Sequence, residues 1–224
     1  MQKILFLFDI DGTLLTSGGA GSKAMEKAFE KVLGIKEACK GINFIGATDT
    51  LIFRNIFNKY NIPFDVRMEK TIRKQYLIYL EYELGKSDGF KVFEGVNDLL
   101  CFLTGCKYVE LAIATGNMEK GAKEKLKRGG LESFFKTGSY DEDGSERSEI
   151  VKSAILKSLK QNKNGFKKIF YVGDSLYDLN AAKINKINSI IVGHSGFLPE
   201  KNKAKPDYYL KNLKNISFFR EIVV

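Results

Sequence analysis

Four short runs carry apolar residues almost without interruption, rather than alternating with polar ones: Ile4–Phe8, Val109–Ala114, Ile169–Val172 and Ser189–Val192. Runs of this length bounded by turn residues predict strands covered on both faces, as in a parallel sheet between two helical layers. Between them the period changes. Ser148–Leu159 places Ile150, Val151, Ala154, Ile155 and Leu159 on one helical face, and Leu176–Ile184 is a second helical stretch directly after the third run. Alternation of strand and helix predicts a doubly wound α/β fold, with "PDYYL" (Pro206–Leu210) as one further strand.

The stretch from Gly21 to Gly85 breaks this rhythm. It has no strand-like run and reads as three helices, Ser22–Leu33, Asp49–Tyr60 and Val66–Leu84; in the second, Ile52, Phe53, Ile56, Phe57 and Tyr60 recur at helical spacing. Glycine-rich segments flank it, "TSGGAGS" before and "GKSDG" after. The pattern therefore predicts an α/β core from residues 1–16 and 89–224, and an α-helical insert over residues 17–88 hung on two flexible joints as a lid.

Composition narrows the function classes. The chain has 224 residues, 44% of them hydrophobic, enough for a substantial core. No apolar run reaches the ~20 residues of a membrane span, and the N-terminus lacks the pattern of a secretory leader. Three cysteines (Cys39, Cys101, Cys106) form no CxxC pair and there is one histidine, which argues against a structural zinc site and fits a reducing cytoplasm. The net charge of +9 comes from lysines spread along the chain. With no basic stripe interleaved with aromatics, it reads as a solvated surface, and neither a nucleic-acid nor a membrane partner is expected.

Chemistry is concentrated where the runs end, the edge at which open α/β sheets bind ligands. The first run leads into Asp9-Ile10-Asp11-Gly12-Thr13, the second into Thr115-Gly116-Asn117, and the third into Gly173-Asp174-Ser175 with Asp178 four residues on. Convergent carboxylates repel and need a cation to stay ionised together; without soft ligands, Mg²⁺ is the expected ion. Residues two apart in an extended segment share a face, so Asp9 and Asp11 can serve one site. One carboxylate can attack phosphorus while another protonates the leaving oxygen. Backbone N–H groups around Gly12 and Gly116, with the Thr115 hydroxyl, can cradle phosphate oxygens. "GGAGSK" (Gly18–Lys23) lacks the Gly-Lys-Ser/Thr ending of a phosphate loop and reads as a hinge.

"FDIDGTL", "ATGN" and "VGDSLYD", in this order, resemble the motifs of the haloacid dehalogenase superfamily across essentially the whole chain, and the helical insert after the first motif resembles that superfamily's C1 cap in phosphoglycolate phosphatase-like and β-phosphoglucomutase-like members. The resemblance implies a Rossmann-like core and a Mg²⁺-dependent phosphatase acting through an aspartyl-phosphate. It makes Asp9 the nucleophile, Asp11 the general acid/base and Thr115 a phosphate ligand, with Gly12, Gly116 and Asn117 around the phosphate. Metal ligation falls to Asp9, Asp11 through its carbonyl, and Asp174, with Asp178 in support. The superfamily's basic residue is assigned to Arg147 in "GSERSEIV", with Lys152 in reserve; pairing with Asp141–Glu142–Asp143, otherwise a solvated loop, is the competing use of Arg147. Thr48 and Asp49 in "GATDT" are expected to reach the substrate from the insert, with Arg54 as a further specificity candidate, and His194 reads as a loop residue without a chemical role.

The expected substrate is a small phosphorylated metabolite, phosphoglycolate- or sugar-phosphate-like, and the expected unit is a monomer. Alternatives are a sugar phosphomutase using the same aspartyl-phosphate, and a non-catalytic protein that binds a phosphate ligand. A dehalogenase would not need Asp11, and a phosphonatase would need a cap lysine, for which Lys23 is the nearest candidate.

Overall fold

The computed structural model describes residues 2–201, 203 and 205–223. In chain order the strands are β1 (Lys3–Phe8), β2 (Leu15–Ser17), β3 (Phe90–Val92), β4 (Val109–Ala114), β5 (Thr137–Ser139), β6 (Phe166–Gly173), β7 (Asn188–Val192) and β8 (Tyr208–Leu210). The helices are α1 (Ala20–Leu33), α2 (Asp49–Lys59), α3 (Val66–Lys86), α4 (Val96–Gly105), α5 (Glu119–Arg128), α6 (Arg147–Gln161), α7 (Leu176–Ile184) and α8 (Ile216–Val223). Six strands make one parallel sheet in the order β5-β4-β1-β6-β7-β8.

β1 explains the layering. Its alternate residues Ile4, Phe6 and Phe8 pack with Leu99 and Leu103 of α4, Leu126 of α5 and Phe219 of α8, while Leu5 and Leu7 pack on the other face with Val151 and Ala154 of α6 and Ala181 and Ala182 of α7. These five side chains are fully buried, each worth about 1.5–3 kcal/mol relative to exposure. Both faces are therefore apolar, which is why the strand reads as a continuous run.

The chain between β2 and β3 forms its own apolar cluster. Phe29 of α1 stacks on Phe53 of α2 with ring centroids 5.8 Å apart, and Tyr76 of α3 meets Phe53 edge-on at 5.9 Å. Thr48 and Asp65 cap α2 and α3, their side chains accepting from the Leu51 and Met68 N–H groups. The two glycine segments expected as loose joints are instead tightly placed. β2 and β3 pair antiparallel, Leu15 opposite Val92 and Ser17 opposite Phe90, and a Cβ on Gly18 would stand 2.4 Å from the Gly89 carbonyl carbon. At three residues each and partly polar, these strands are too short for a pattern to announce them. Among the described residues no helix is long and apolar enough to cross a membrane.

Candidate active site

Asp9 follows β1 on the face of Leu5 and Leu7, the face that α6 covers, and its N–H donates to the Val172 carbonyl of β6 at 3.0 Å. Arg147, the first residue of α6, meets it there: Nη1 donates to Asp9 Oδ1 at 2.9 Å, and Nε lies 3.5 Å from Asp178 Oδ1. The Thr115 hydroxyl, just past the end of β4, lies beside the Asp9 carboxylate and favours its ionised form. Burial nevertheless holds the Asp9 pKa above the usual carboxylate range; Arg147 works against that shift and Asp178 with it.

At the end of β6, Asp174 is buried and accepts from the Thr13 hydroxyl at 3.2 Å. Its approach requires Gly12, where φ is +79° and a Cβ would fall 2.2 Å from Asp174 Oδ2. Asp178 is held hard: its Oδ2 accepts from the Asp174 and Ser175 N–H groups and the Ser175 hydroxyl, and its Oδ1 from the Tyr171 hydroxyl at 2.9 Å. Carboxylate oxygens of Asp9, Asp174 and Asp178 lie within 4.8 Å of one another, all three residues buried. Burial and the repulsion of Asp178 and Asp9 raise the Asp174 pKa. Hard oxygen donors so close together, two of them destabilised as anions, fit a divalent cation such as Mg²⁺.

Asp11 stands at the mouth of this cluster. Its Oδ2 accepts from Asn117 Nδ2 at 2.8 Å and from Lys125 Nζ at 2.6 Å, and Lys125 also donates to Asn117 Oδ1 at 2.5 Å. Lys125 is the functional candidate that motif reading missed. Its signal was faint but present: in the lysine-rich α5 it shares the buried stripe of Gly121, Ala122 and Leu126. Lys152, by contrast, is exposed on α6, as is Lys23 on α1.

The helical insert closes over these groups. Gly46 presents its carbonyl to Arg147 Nη2 at 3.2 Å. The Asp49 N–H donates to the Gly116 carbonyl, while its carboxylate accepts from the Met118 N–H, both at 2.8 Å. Thr48 packs on Gly116, where a Cβ would lie 2.8 Å from the Thr48 Cα, and its hydroxyl caps α2 rather than lining the cavity. Arg54 is exposed and also outside the cavity. Asp141 corrects the solvated-loop expectation: it is buried and accepts from the Thr50 N–H (2.8 Å), the Thr50 hydroxyl (2.6 Å) and Arg73 Nη1 (2.9 Å). Arg147 accordingly serves Asp9, not the acidic loop. His194 lines the cavity, stacked on Phe93 at 4.1 Å between ring centroids.

Burial pushes the Asp49 carboxyl up to about 7, against the pull of Lys125. In an unfolded chain it ionises near ~3.9. Between these values the unfolded state has lost a proton that the folded state keeps, so folding stability falls as pH rises through that window. Asp49→Asn keeps an acceptor for the Met118 N–H and removes the charge. Urea unfolding at pH 5 and pH 8 should show a smaller loss for the variant, which becomes the more stable protein at pH 8. Parallel pH profiles would count against a buried, charge-averse Asp49.

The sequence matches the model of the haloacid dehalogenase-like hydrolases over residues 6–192. A protein carried under the pyrophosphatase name PpaX, from Caldanaerobacter subterraneus subsp. tengcongensis, is 27% identical over 220 residues, covering 95% of this chain and 92% of that one. Among solved structures, a hydrolase from Pseudomonas syringae aligns with a TM-score of 0.75 at 18% identity over 100% of both chains. A predicted phosphatase from Clostridium acetobutylicum aligns at 0.71 and 23% over 99% of both. At these identities the structural likeness is one of fold.

Proposed function

The chain belongs to the haloacid dehalogenase-like hydrolase family, and from that premise we propose that it is a Mg²⁺-dependent phosphatase that cleaves a small phosphorylated metabolite through an aspartyl-phosphate on Asp9. The observation that carries this reading is the surrounding of Asp9: a buried arginine on one oxygen, a threonine hydroxyl, and two further carboxylates within 4.8 Å.

In this scheme an Asp9 carboxylate oxygen attacks phosphorus and the bond from phosphorus to the leaving oxygen breaks. Asp11 gives that oxygen its proton, then takes one from the water that attacks the aspartyl-phosphate, so phosphate leaves and both acids are restored. Lys125 and Asn117 both donate to Asp11 Oδ2, which leaves its other oxygen to carry the proton. Arg147 and the backbone around Gly12 and Gly116 face the charge on the transferring group. Asp9, the Asp11 carbonyl and Asp174 would hold Mg²⁺, and Asp178, already saturated by donors, would fix Asp174. The bound ion would supply charge neutralisation at the phosphoryl oxygens.

Residues 17–88 act as the cap, with Gly46, Thr48 and Asp49 bringing it down on the core, and exclude bulk water during transfer. One chain supplies every group, so the working unit is a monomer, and three free cysteines suit a reducing cytoplasm. The test is hydrolysis of p-nitrophenyl phosphate with and without metal. EDTA should lower the rate at least ~100-fold and added Mg²⁺ restore it, since a metal clamp on the phosphoryl group is worth several kcal/mol; full activity in EDTA would defeat the reading.

A further inference from the structure

A cavity of about 490 Å³ runs from the phosphoryl-binding end to beneath the helical insert, a size that takes a molecule as large as a sugar or nucleoside phosphate. Its far wall is apolar, with Met25 of α1, Phe44, Ile52 of α2 and Tyr76 of α3, and it is dotted with the hydroxyls of Thr16, Ser17 and Ser22. Among the described residues that line it, the basic side chains are Lys125, Arg147 and His194. Lys125 is already bound to Asp11 and Asn117, and Arg147 to Asp9. His194 is half-buried, and desolvation together with Lys91 disfavours its charged form. Of the acids that line it, Asp9, Asp11 and Asp174 belong to the phosphoryl and metal end, which leaves Asp49 as the acidic side chain on the insert side.

A second anionic group on the substrate would thus find no uncommitted cation. It would have to shed its water against apolar carbon and approach Asp49, a cost met by no partner. A neutral group carrying hydroxyls meets matching donors and acceptors and an apolar wall. Building on the phosphatase reading, we infer that the leaving group is an uncharged, hydroxyl-bearing alcohol, and that the enzyme rejects monoesters whose leaving group carries a carboxylate or a second phosphate.

A matched pair tests this: 2-hydroxyethyl phosphate and 2-phosphoglycolate differ at one end, hydroxymethyl against carboxylate, with pyrophosphate as a third substrate. All are assayed with the full chain and saturating Mg²⁺, and p-nitrophenyl phosphate serves as the generic control. Expected is a kcat/KM for 2-hydroxyethyl phosphate at least tenfold above that for either anionic substrate; where turnover is too slow to follow, the same order should appear in competitive inhibition of p-nitrophenyl phosphate hydrolysis. Equal values, or a preference for phosphoglycolate or pyrophosphate, overturn the inference while the phosphatase reading stands. Failure to hydrolyse p-nitrophenyl phosphate removes that reading, and the inference with it.

Discussion

Replacing Asp9 with asparagine should lower kcat on p-nitrophenyl phosphate at least ~10³-fold, about 4 kcal/mol of barrier, without weakening the fold. The first half follows from chemistry. An amide oxygen in the same place is a poor nucleophile, and among the described residues no other carboxylate combines contact with Arg147 Nη1, Thr115 and the Asp174–Asp178 pair. The second half follows from electrostatics. Burial keeps the Asp9 carboxyl above its ordinary pKa even with Arg147 beside it, so the ionised form is a net burden on the metal-free folded state. A group with a raised folded-state pKa costs stability as pH climbs from the unfolded value through the folded one. At pH 8 without metal, Asp9→Asn should therefore melt no lower than the parent, and the amide oxygen it introduces can still accept from Arg147. Opposite movement of activity and stability is the signature of a group kept for chemistry. Substantial turnover by the variant would remove Asp9 from the nucleophile's role, and a marked loss of stability would show that its ionised form is no burden on the fold.

Much of this arrangement is legible in one dimension, and the division between legible and hidden has a physical cause. β1, β4, β6 and β7 announce themselves because two helical layers cover them, so apolar residues fill consecutive positions. The acids after β1 and β6 are conspicuous for the converse reason: carboxylates directly after buried strands are costly unless a cation is to be met. β2, β3 and β5 leave no comparable trace, being three residues long and partly polar. α5 is nearly all lysine, glutamate and small residues, and its narrow buried stripe hides Lys125 among solvated neighbours. Asp141 is the sharper case. In sequence it is one of three consecutive acids, and nothing local separates it from Glu142 or Asp143. Its burial comes from Thr50 and Arg73, 91 and 68 residues away, arriving with the helical insert. Such contacts are properties of the closed three-dimensional arrangement. His194 and Gly46 belong to the same class, placed by the packing of loops rather than by any periodicity.

Arg147→Met should produce the largest combined effect on stability and rate. The guanidinium is buried and shared between Asp9, Asp178 and the Gly46 carbonyl, so its loss leaves carboxylates facing each other with no fixed cation. Removing one partner of a buried pair typically costs about 3–5 kcal/mol, part of which Asp9 and Asp174 can escape by taking up protons. Two consequences separate this from ordinary loss of packing. The stability deficit should be largest above pH 7, where proton uptake is least available. It should also shrink when Mg²⁺ is added, because a cation that binds only the folded state stabilises by mass action, and the variant has more uncompensated charge to offer it. Thermal melts at pH 6 and pH 8, each with and without Mg²⁺, read both effects. Turnover should fall at least ~100-fold even with the metal present, since the charge on the transferring phosphoryl group loses a preorganised donor. Arg147→Lys should recover stability more than rate: it restores a positive charge but cannot span Asp9, Asp178 and Gly46 at once with a single ammonium. A methionine variant that melts like the parent in all four conditions would show that Arg147 is not what holds these acids together.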